Sequence, residues 1–289
     1  MINKLIGGTF SGTPVGSGNI SLATHVATHD IKSGGFYLPR SMHFDNSGTN
    51  FYVSAFSTDG SPYSRRVKQF ELSTAWDIST KGFSTNTIDG GNILEFDIKL
   101  STSGDSVWGT TNSTGSRSYV LTTPFDISTH VIVNAQNSGV TGIEPGSETI
   151  ALRWVPTGAG NQATPVIEKY SMTNWDASTL ALESSVDYTA TMPGSLAFHV
   201  SDNGLKAYGM LNRLTADFII NEYSFGTAWD ISTLTLDSTT TVDTADAAKE
   251  DSMDLFVSPT GHKLFVLTSA FTTGGAPTAS IAKIYEYDL

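Results

Sequence analysis

One short peptide pattern recurs four times along the chain, and it constrains the fold more than any other feature. Thr74-Ala75-Trp76-Asp77-Ile78-Ser79-Thr80, Thr123-Pro124-Phe125-Asp126-Ile127-Ser128-Thr129, Asn174-Trp175-Asp176-Ala177-Ser178-Thr179 and Thr227-Ala228-Trp229-Asp230-Ile231-Ser232-Thr233 all read as an aromatic residue followed by Asp, an apolar residue, Ser and Thr. The Asp residues stand at 77, 126, 176 and 230, which gives spacings of 49, 50 and 54. A fixed period in that range is the mark of a repeat architecture. Each copy follows a segment of alternating apolar and polar residues: 67–73, 116–122, 166–172 and 218–225. Such alternation is the signature of a half-buried strand. A fifth strand of the same kind, 281–289, ends the chain with no motif after it.

A second signal recurs out of phase with the first. Short polar turns ending in Gly separate pairs of apolar runs at 45–48, 101–104, 144–146, 201–204 and 258–261. Gly supplies the positive φ that tight hairpins need. Five turns imply five units. Each unit reads as four strands, the first at 36–45, 51–56, 66–73 and 81–88, the second at 93–100, 106–111, 116–122 and 130–136, the third at 140–145, 149–155, 164–172 and 180–188, and the fourth at 194–201, 205–211, 217–225 and 234–242. The last unit has only 251–258, 262–268 and 281–289. One strand-like segment, 20–29, remains at the opposite end of the chain. Radially repeated four-stranded sheets are propeller blades, and an unpaired sheet edge is a liability. The expectation is an all-β, five-bladed β-propeller over residues 20–289, four antiparallel strands per blade, closed by the N-terminal strand and preceded by an arm at 1–19. No segment shows capped 3.6-residue periodicity, so helix content should be very low.

Composition narrows the function. With 16 Lys and Arg against 28 Asp and Glu, the net charge is −12. A protein that grips phosphate backbones needs clustered cations, so no nucleic-acid partner is expected. Charged residues make up 15% of the chain, against an average of about 25%. No apolar run approaches the roughly 20 residues that span a bilayer, and no membrane partner is expected. The absence of Cys excludes disulfides, thiolate metal sites and Cys nucleophiles. The opening Met1–Gly8 lacks the apolar core of a signal peptide, although the composition looks extracellular.

In Trp76, Phe125, Trp175 and Trp229 the ring is expected to wedge between neighbouring blades rather than to form a sugar platform. The following Asp77, Asp126, Asp176 and Asp230 are expected to hydrogen-bond the turn backbone, together with Ser and Thr. The strand-plus-STAWDIST unit with its following hairpin, best carried by Leu72–Thr80, Phe225–Thr233 and Ser258–Val266, resembles WDIST-type β-propeller repeats in structural proteins of marine bacteriophages. The resemblance covers about residues 36–289, and the third unit departs from it with a shortened hairpin and Ala177 in place of Ile. It implies a virion protein, released by lysis and attached to other virion proteins through the arm at 1–19.

The loops between second and third strands vary in length, and binding usually lives on such loops. Scarce basic and aromatic residues expected on that face are Tyr37, Arg40, Tyr63, Arg65, Arg66, Arg213 and Lys249. They form a candidate binding face for host-surface glycans. A glycosidase of this fold needs carboxylates that converge from the inner strands. Asp45, Glu95, Asp97, Glu144, Asp251 and Asp254 fall there without a hydrolase signature around them. His25 and His29 would lie about 13 Å apart along a strand, too far to share a metal. Neither cofactor nor metal is expected. The reading is a non-enzymatic virion component for capsid decoration or the tail, with a lectin-like module and then a glycoside hydrolase as alternatives.

Overall fold

The computed structural model describes residues 19–31, 36–57, 64–89, 98–111, 115–135, 143–145, 147, 149–157, 164–188, 197–211, 217–243, 251–269 and 282–289. Among the described residues the first strand is β1 (Thr24–Asp30). Blade one is β2 (Phe36–Phe44), β3 (Asn50–Ser57), β4 (Ser64–Leu72) and β5 (Lys81–Asp89). Blade two is β6 (Ile98–Leu100), β7 (Ser106–Thr111), β8 (Gly115–Leu121) and β9 (His130–Ala135). Blade three is β10 (Ile143–Pro145), β11 (Ile150–Thr157), β12 (Thr164–Thr173) and β13 (Asp176–Asp187). Blade four is β14 (Ala197–Val200), β15 (Lys206–Leu211), β16 (Asp217–Phe225) and β17 (Leu234–Asp243). Blade five is β18 (Asp251–Val257), β19 (Lys263–Ser269) and β20 (Ala282–Asp288), and β1 pairs antiparallel with β20 as its fourth strand. The protein is a five-bladed β-propeller sealed by its own N-terminal strand.

The hydrophobic core is divided among the five seams between blades. One buried cluster joins Phe256, Phe265 and Ile284 of blade five to Phe44, Phe51, Phe70 and Ile78 of blade one. Others join blade one to two around Tyr52, Val67 and Tyr119, two to three around Trp108 and Trp175, three to four around Ile167, Tyr223 and Trp229, and four to five around Tyr208, Phe218, Leu264 and Tyr285. Alternation along each strand sends one set of side chains to each neighbouring blade.

The repeated motif is a clamp between two turns of one blade. Its Asp accepts a hydrogen bond from the backbone N–H two residues on: Asp77 from Ser79 at 2.9 Å, Asp126 from Ser128 at 3.0 Å, Asp176 from Ser178 at 2.9 Å and Asp230 from Ser232 at 3.0 Å. Three of these cap a single 3-10 turn. Trp76, Phe125 and Trp229 adopt φ of 64°, 62° and 61°, and their N–H groups donate to the carbonyls of Gly48, Gly104 and Gly204 at 2.9, 2.8 and 3.0 Å. Each ring therefore lies over the hairpin Gly of its own blade. A Cβ on Gly48 would stand 2.2 Å from the Trp76 indole, and one on Gly204 would stand 2.2 Å from Trp229. The rings also reach the preceding blade: Trp76 stacks 6.1 Å from Phe256 and 6.4 Å from Phe265. Trp175 and Trp229 are only 7% and 8% exposed, and Trp76 and Phe125 are partly buried.

The preceding blade holds each turn by polar contacts as well. Tyr52 donates its hydroxyl to the Phe125 carbonyl at 2.8 Å, and Tyr188 donates to the carbonyl of Ile231. Gln69 Oε1 accepts from the Ile127 N–H, and Ser118 Oγ accepts from the Ala177 N–H, both at 3.3 Å. Blade three carries a shorter form of the turn. Its Asn174-Trp175 corner is a two-residue hairpin with φ of 47° and 60°, so Asp176 enters β13 directly and no 3-10 turn forms.

Two expectations at the N-terminus are corrected. Residues 20–22 are a buried-Ile 3-10 turn rather than strand, and β1 begins at Thr24. The fifth motif is also present. Asn19 accepts from the Ser21 N–H at 3.0 Å and from its hydroxyl at 2.6 Å, as Asp77 does from Ser79. Ile20 is fully buried against blade four, in the place of Ile78, Ile127 and Ile231. Blade five thus has its turn, taken from the opposite end of the chain. The proposed arm lies outside the described residues apart from Asn19, which belongs to the ring.

Candidate functional site

The inner strands β2, β6, β10, β14 and β18 surround the axis. Their registers align on the hairpin corner, where Asp45, Ser101, Ser201 and Ser258 each accept from the Gly three residues on. Two residues before that corner stand His43, Lys99, His199 and Phe256. Strand pairing puts Glu144 at the same level in blade three, because Glu144 faces Leu152 as His43 faces Tyr52. His43 packs edge-on to Phe256 at 5.6 Å, and His199 lies 4.9 Å from the same ring. Lys99 and His199 are each 4% exposed. This layer plugs the axis at the hairpin end.

The electrostatics of the plug follow from crowding. Burial, then the nearby charge of Lys99 and the His199 imidazole, holds His43 well below the ordinary histidine range, and a bond to the Leu100 backbone opposes the shift only weakly. His43 is therefore neutral at pH 7. Its Nδ1 is screened from water and has no hydrogen-bond partner among the described residues.

Of the candidate acids, the two whose side chains are described, Asp45 and Asp254, are engaged by backbone amides. Asp45 is a turn residue: it accepts from the backbone of Thr49 at 2.9 Å and Asn50 at 3.2 Å, and from the Asn50 side chain at 2.9 Å. Asp254 sits at a β-bulge and accepts from the N–H groups of Met42 and Leu255, both at 2.8 Å, so it stitches blade five to blade one. Glu144 and Asp251 lie on β10 and β18, with side chains outside those described, and Glu95 and Asp97 fall outside the described residues altogether. Among the described residues no group of three or more His, Asp or Glu side chains is placed to hold a metal. No helix among them is long and apolar enough to cross a membrane.

The candidate binding residues divide similarly. Tyr63, Arg213 and Lys249 lie outside the described residues. Tyr37 and Arg40 are on β2 and Arg66 is on β4, within the strands expected there, and Arg65, expected at the end of the preceding loop, also belongs to β4. Phe56 of β3 pairs with both Tyr37 and Arg65, and Ala55 pairs with Arg66. Four of the seven candidates thus gather at the end of blade one away from the plug. The axial residues His43, Lys99, His199 and Phe256 were missed, although each stands at the same offset from its hairpin turn.

No known family matches the sequence, and no curated protein matches it. Solved structures do resemble the fold. The catalytic domain of the Coprinopsis cinerea GH62 alpha-L-arabinofuranosidase superposes with a TM-score of 0.52 at 6% identity, covering 91% of this chain and 95% of that one. The Podospora anserina alpha-L-arabinofuranosidase PaAbf62A, solved with cellotriose, gives 0.49 at 7% identity, covering 92% and 94%. Hydrazine synthase from Kuenenia stuttgartiensis gives 0.41 at 12% identity, covering 90% of this chain and 65% of that one. The first likeness overturns the expectation of a non-enzymatic protein. That expectation rested on the lack of a hydrolase signature, and a catalytic domain with this same fold shares almost no sequence with the chain.

Proposed function

We propose that the protein is a carbohydrate-recognition propeller whose binding face is the end of the ring away from the axial plug. The observation that carries this reading is the gathering of Tyr37, Arg40, Arg65 and Arg66 at that end of blade one, on rigid strands. Arg and Tyr are favoured anchors at binding surfaces, and their stiff support favours a preformed site. The likeness in fold to an arabinofuranosidase catalytic domain supports a sugar as the ligand class. Phage-particle display is implied by the repeat resemblance and is a separate part of the proposal. Mass spectrometry of purified particles tests it, and absence of the chain from them removes it.

Titration calorimetry against arabinose-containing and host-surface oligosaccharides tests the binding reading. The expected result is saturable binding that weakens at least tenfold, about 1.4 kcal/mol, in the Tyr37→Ala, Arg40→Ala double variant with its melting temperature kept. Failure of every glycan to bind overturns it. Release of arabinose in the same mixtures extends the reading to hydrolysis.

A further inference from the structure

Among the described strands the rim of the ring has five sheet edges, one for the fourth strand of each blade: β5, β9, β13, β17 and β1. An edge offers unpaired backbone N–H and C=O groups to another chain, and proteins guard it with charges or with a bulge. Every one of these five strands shifts its pairing at the same register, just before the third-strand position of Phe70, Tyr119, Tyr170, Tyr223 and Tyr287. In blades three and four the residue in the bulge is an acid, and a lysine holds it: Lys169 lies 3.3 Å from Glu183, and Lys206 lies 2.8 Å from Asp237. β5 begins at Lys81 and ends at Asp89, and β1 ends at Asp30, which pairs in register with Lys283. β9 alone of the five contains no Asp, Glu, Lys or Arg; it reads His-Val-Ile-Val-Asn-Ala.

The side chains beside this edge are apolar and open to solvent. Val131 is 52% exposed and Ile132 is 56% exposed, and Val120 of β8, which pairs with Val131, is 42% exposed. Successive side chains point to opposite faces of a strand, so apolar surface flanks the edge on both faces. Leu182 and Leu236 occupy the place of Ile132 in blades three and four and are exposed too, but each adjoins its acid, Glu183 or Asp237. The His130 ring turns back into its own blade: its Nδ1 lies 2.9 Å from the Ile127 carbonyl and its ring stands edge-on to Tyr119. On the two outer strands of blade two the one charged residue is Arg117, which pairs with Ala135 at the far end of β9.

We propose that β9 pairs antiparallel with the β9 of a second copy of this chain about a two-fold axis, joining two propellers edge to edge. Charge selects this occupant. The chain carries a net charge of −12, so two copies repel one another and approach most easily where neither presents an acid. In a two-fold contact a patch meets itself. At the rims of blades three and four that sets Glu183 or Asp237 against its own copy, whereas β9 sets Val and Ile against Val and Ile, a favourable cross-strand match. The contact lies apart from the sugar-binding face, and its failure leaves that reading untouched. An edge of six residues falls short of the roughly 1,200 Å² buried in a standard complex, so the association is weak, with a dissociation constant on the order of 100 μM.

Sedimentation equilibrium of the full chain from about 5 μM to about 1 mM tests the contact, a range that brackets the expected constant. The average mass should climb from one chain toward two. Raising sodium chloride from about 50 mM to about 500 mM should tighten the association, because salt screens the net charge and leaves the apolar pairing intact. Ile132→Glu should weaken it at least about tenfold with the melting temperature kept, and Leu182→Glu, the same change on β13, should leave it unaltered. Hydrogen exchange read by mass spectrometry should slow over 130–135 as concentration rises, and not over 234–243. Should Ile132→Glu fail to fold, that exchange pattern decides alone. A single-chain mass at every concentration overturns the proposal; if an added Val-rich peptide then protects 130–135, the edge belongs to a foreign strand. A dimer that persists undiminished in Ile132→Glu, or that forms with unchanged exchange over 130–135, overturns it as well.

Discussion

Blades four and five contain the same parts, but only blade four has them in one stretch of chain. In blade four, β16 leads through Gly226-Thr227-Ala228 to Trp229, Asp230 and Ile231, and Trp229 covers Gly204. In blade five the chain stops at Leu289 and the turn is supplied by Asn19, Ile20 and Ser21. The hairpin is unchanged: Gly261 has φ of 70° against 68° for Gly204, and each donates to the Ser three residues earlier. The Lys–Glu pair between second and third strands is also repeated, as Lys206–Glu222 at 2.7 Å and Lys263–Glu286 at 2.6 Å. The difference teaches that the motif works by packing and capping on the preceding blade, since it needs no covalent link to its own third strand.

The largest way to break this comparison is to remove the borrowed parts. Deleting residues 1–30 strips blade five of its turn, of Ile20 and of the strand paired with β20. The loss should exceed about 5 kcal/mol, enough to unfold a domain of ordinary stability, and circular dichroism should show no cooperative melt. Deleting 1–18 should leave the melt within a few degrees of the full chain. A cooperative melt for the longer deletion would mean that the ring closes without its fourth strand.

Next come the glycines. Gly204→Ala puts a methyl into the Trp229 ring at a left-handed backbone position, and should cost about 3–5 kcal/mol in urea unfolding. Gly261→Ala meets the same φ, but its motif has Gly18 where Trp229 stands. The cost there should be about 1–2 kcal/mol. Equal costs would show that the aromatic lid adds nothing to the turn.

These parts differ in how legible they were in the sequence. The ring, its blade number and the closing strand followed from the spacing of Asp77, Asp126, Asp176 and Asp230 and from the strand count. The fifth motif escaped because Asn19 replaces Asp, no aromatic precedes it and it lies at the wrong end for a repeat read forward. The wedge role of the rings was visible, whereas their seat over Gly48, Gly104 and Gly204 needed the two turns to be seen together. The axial plug was hidden for a different reason. His43, Lys99, Glu144, His199 and Phe256 share a register but are of four residue types, and register is a property of paired strands. Arg65 looked like a loop residue because β4 begins at Ser64, two residues earlier than alternation alone suggested.

Acid sharpens the comparison by a smaller amount. Burial works to raise the pKa of Glu286, but hydrogen bonds from His29 at 3.0 Å and Lys263 outweigh it, and the carboxyl is held below its usual range. A carboxyl depressed in the folded state stabilises above its unfolded pKa, and that stability is lost as pH falls through the lower folded value. Glu286→Gln should cost about 2 kcal/mol at pH 7 and should flatten the decline of unfolding free energy between pH 5 and pH 3 (a window taken from the ordinary carboxylate range). If Glu286→Gln costs no more than Glu222→Gln, the contact of His29, on the closing strand, with β20 contributes nothing beyond the shared Lys pair.

The smallest effect bears most directly on whether the fifth motif is real. Asn and Asp are nearly equal as caps, and Ala is worse than either by about 1 kcal/mol. Asn19→Ala should therefore lower stability by about that amount, and Asn19→Asp should change it by less than about 0.5 kcal/mol at pH 7. The two caps differ in acid. Hydrogen bonds from the Ser232 side chain and backbone keep the Asp230 carboxyl below its usual range, and Asn19 has no proton to gain. Asn19→Asp should thus add an acid-dependent loss that the native chain lacks at this blade, read as a steeper fall of unfolding free energy below pH 4 (the lower edge of the ordinary carboxylate range). If Asn19→Ala is neutral, the hydrogen bond from Ser21 is not what fixes the turn, and burial of Ile20 alone carries the borrowed motif.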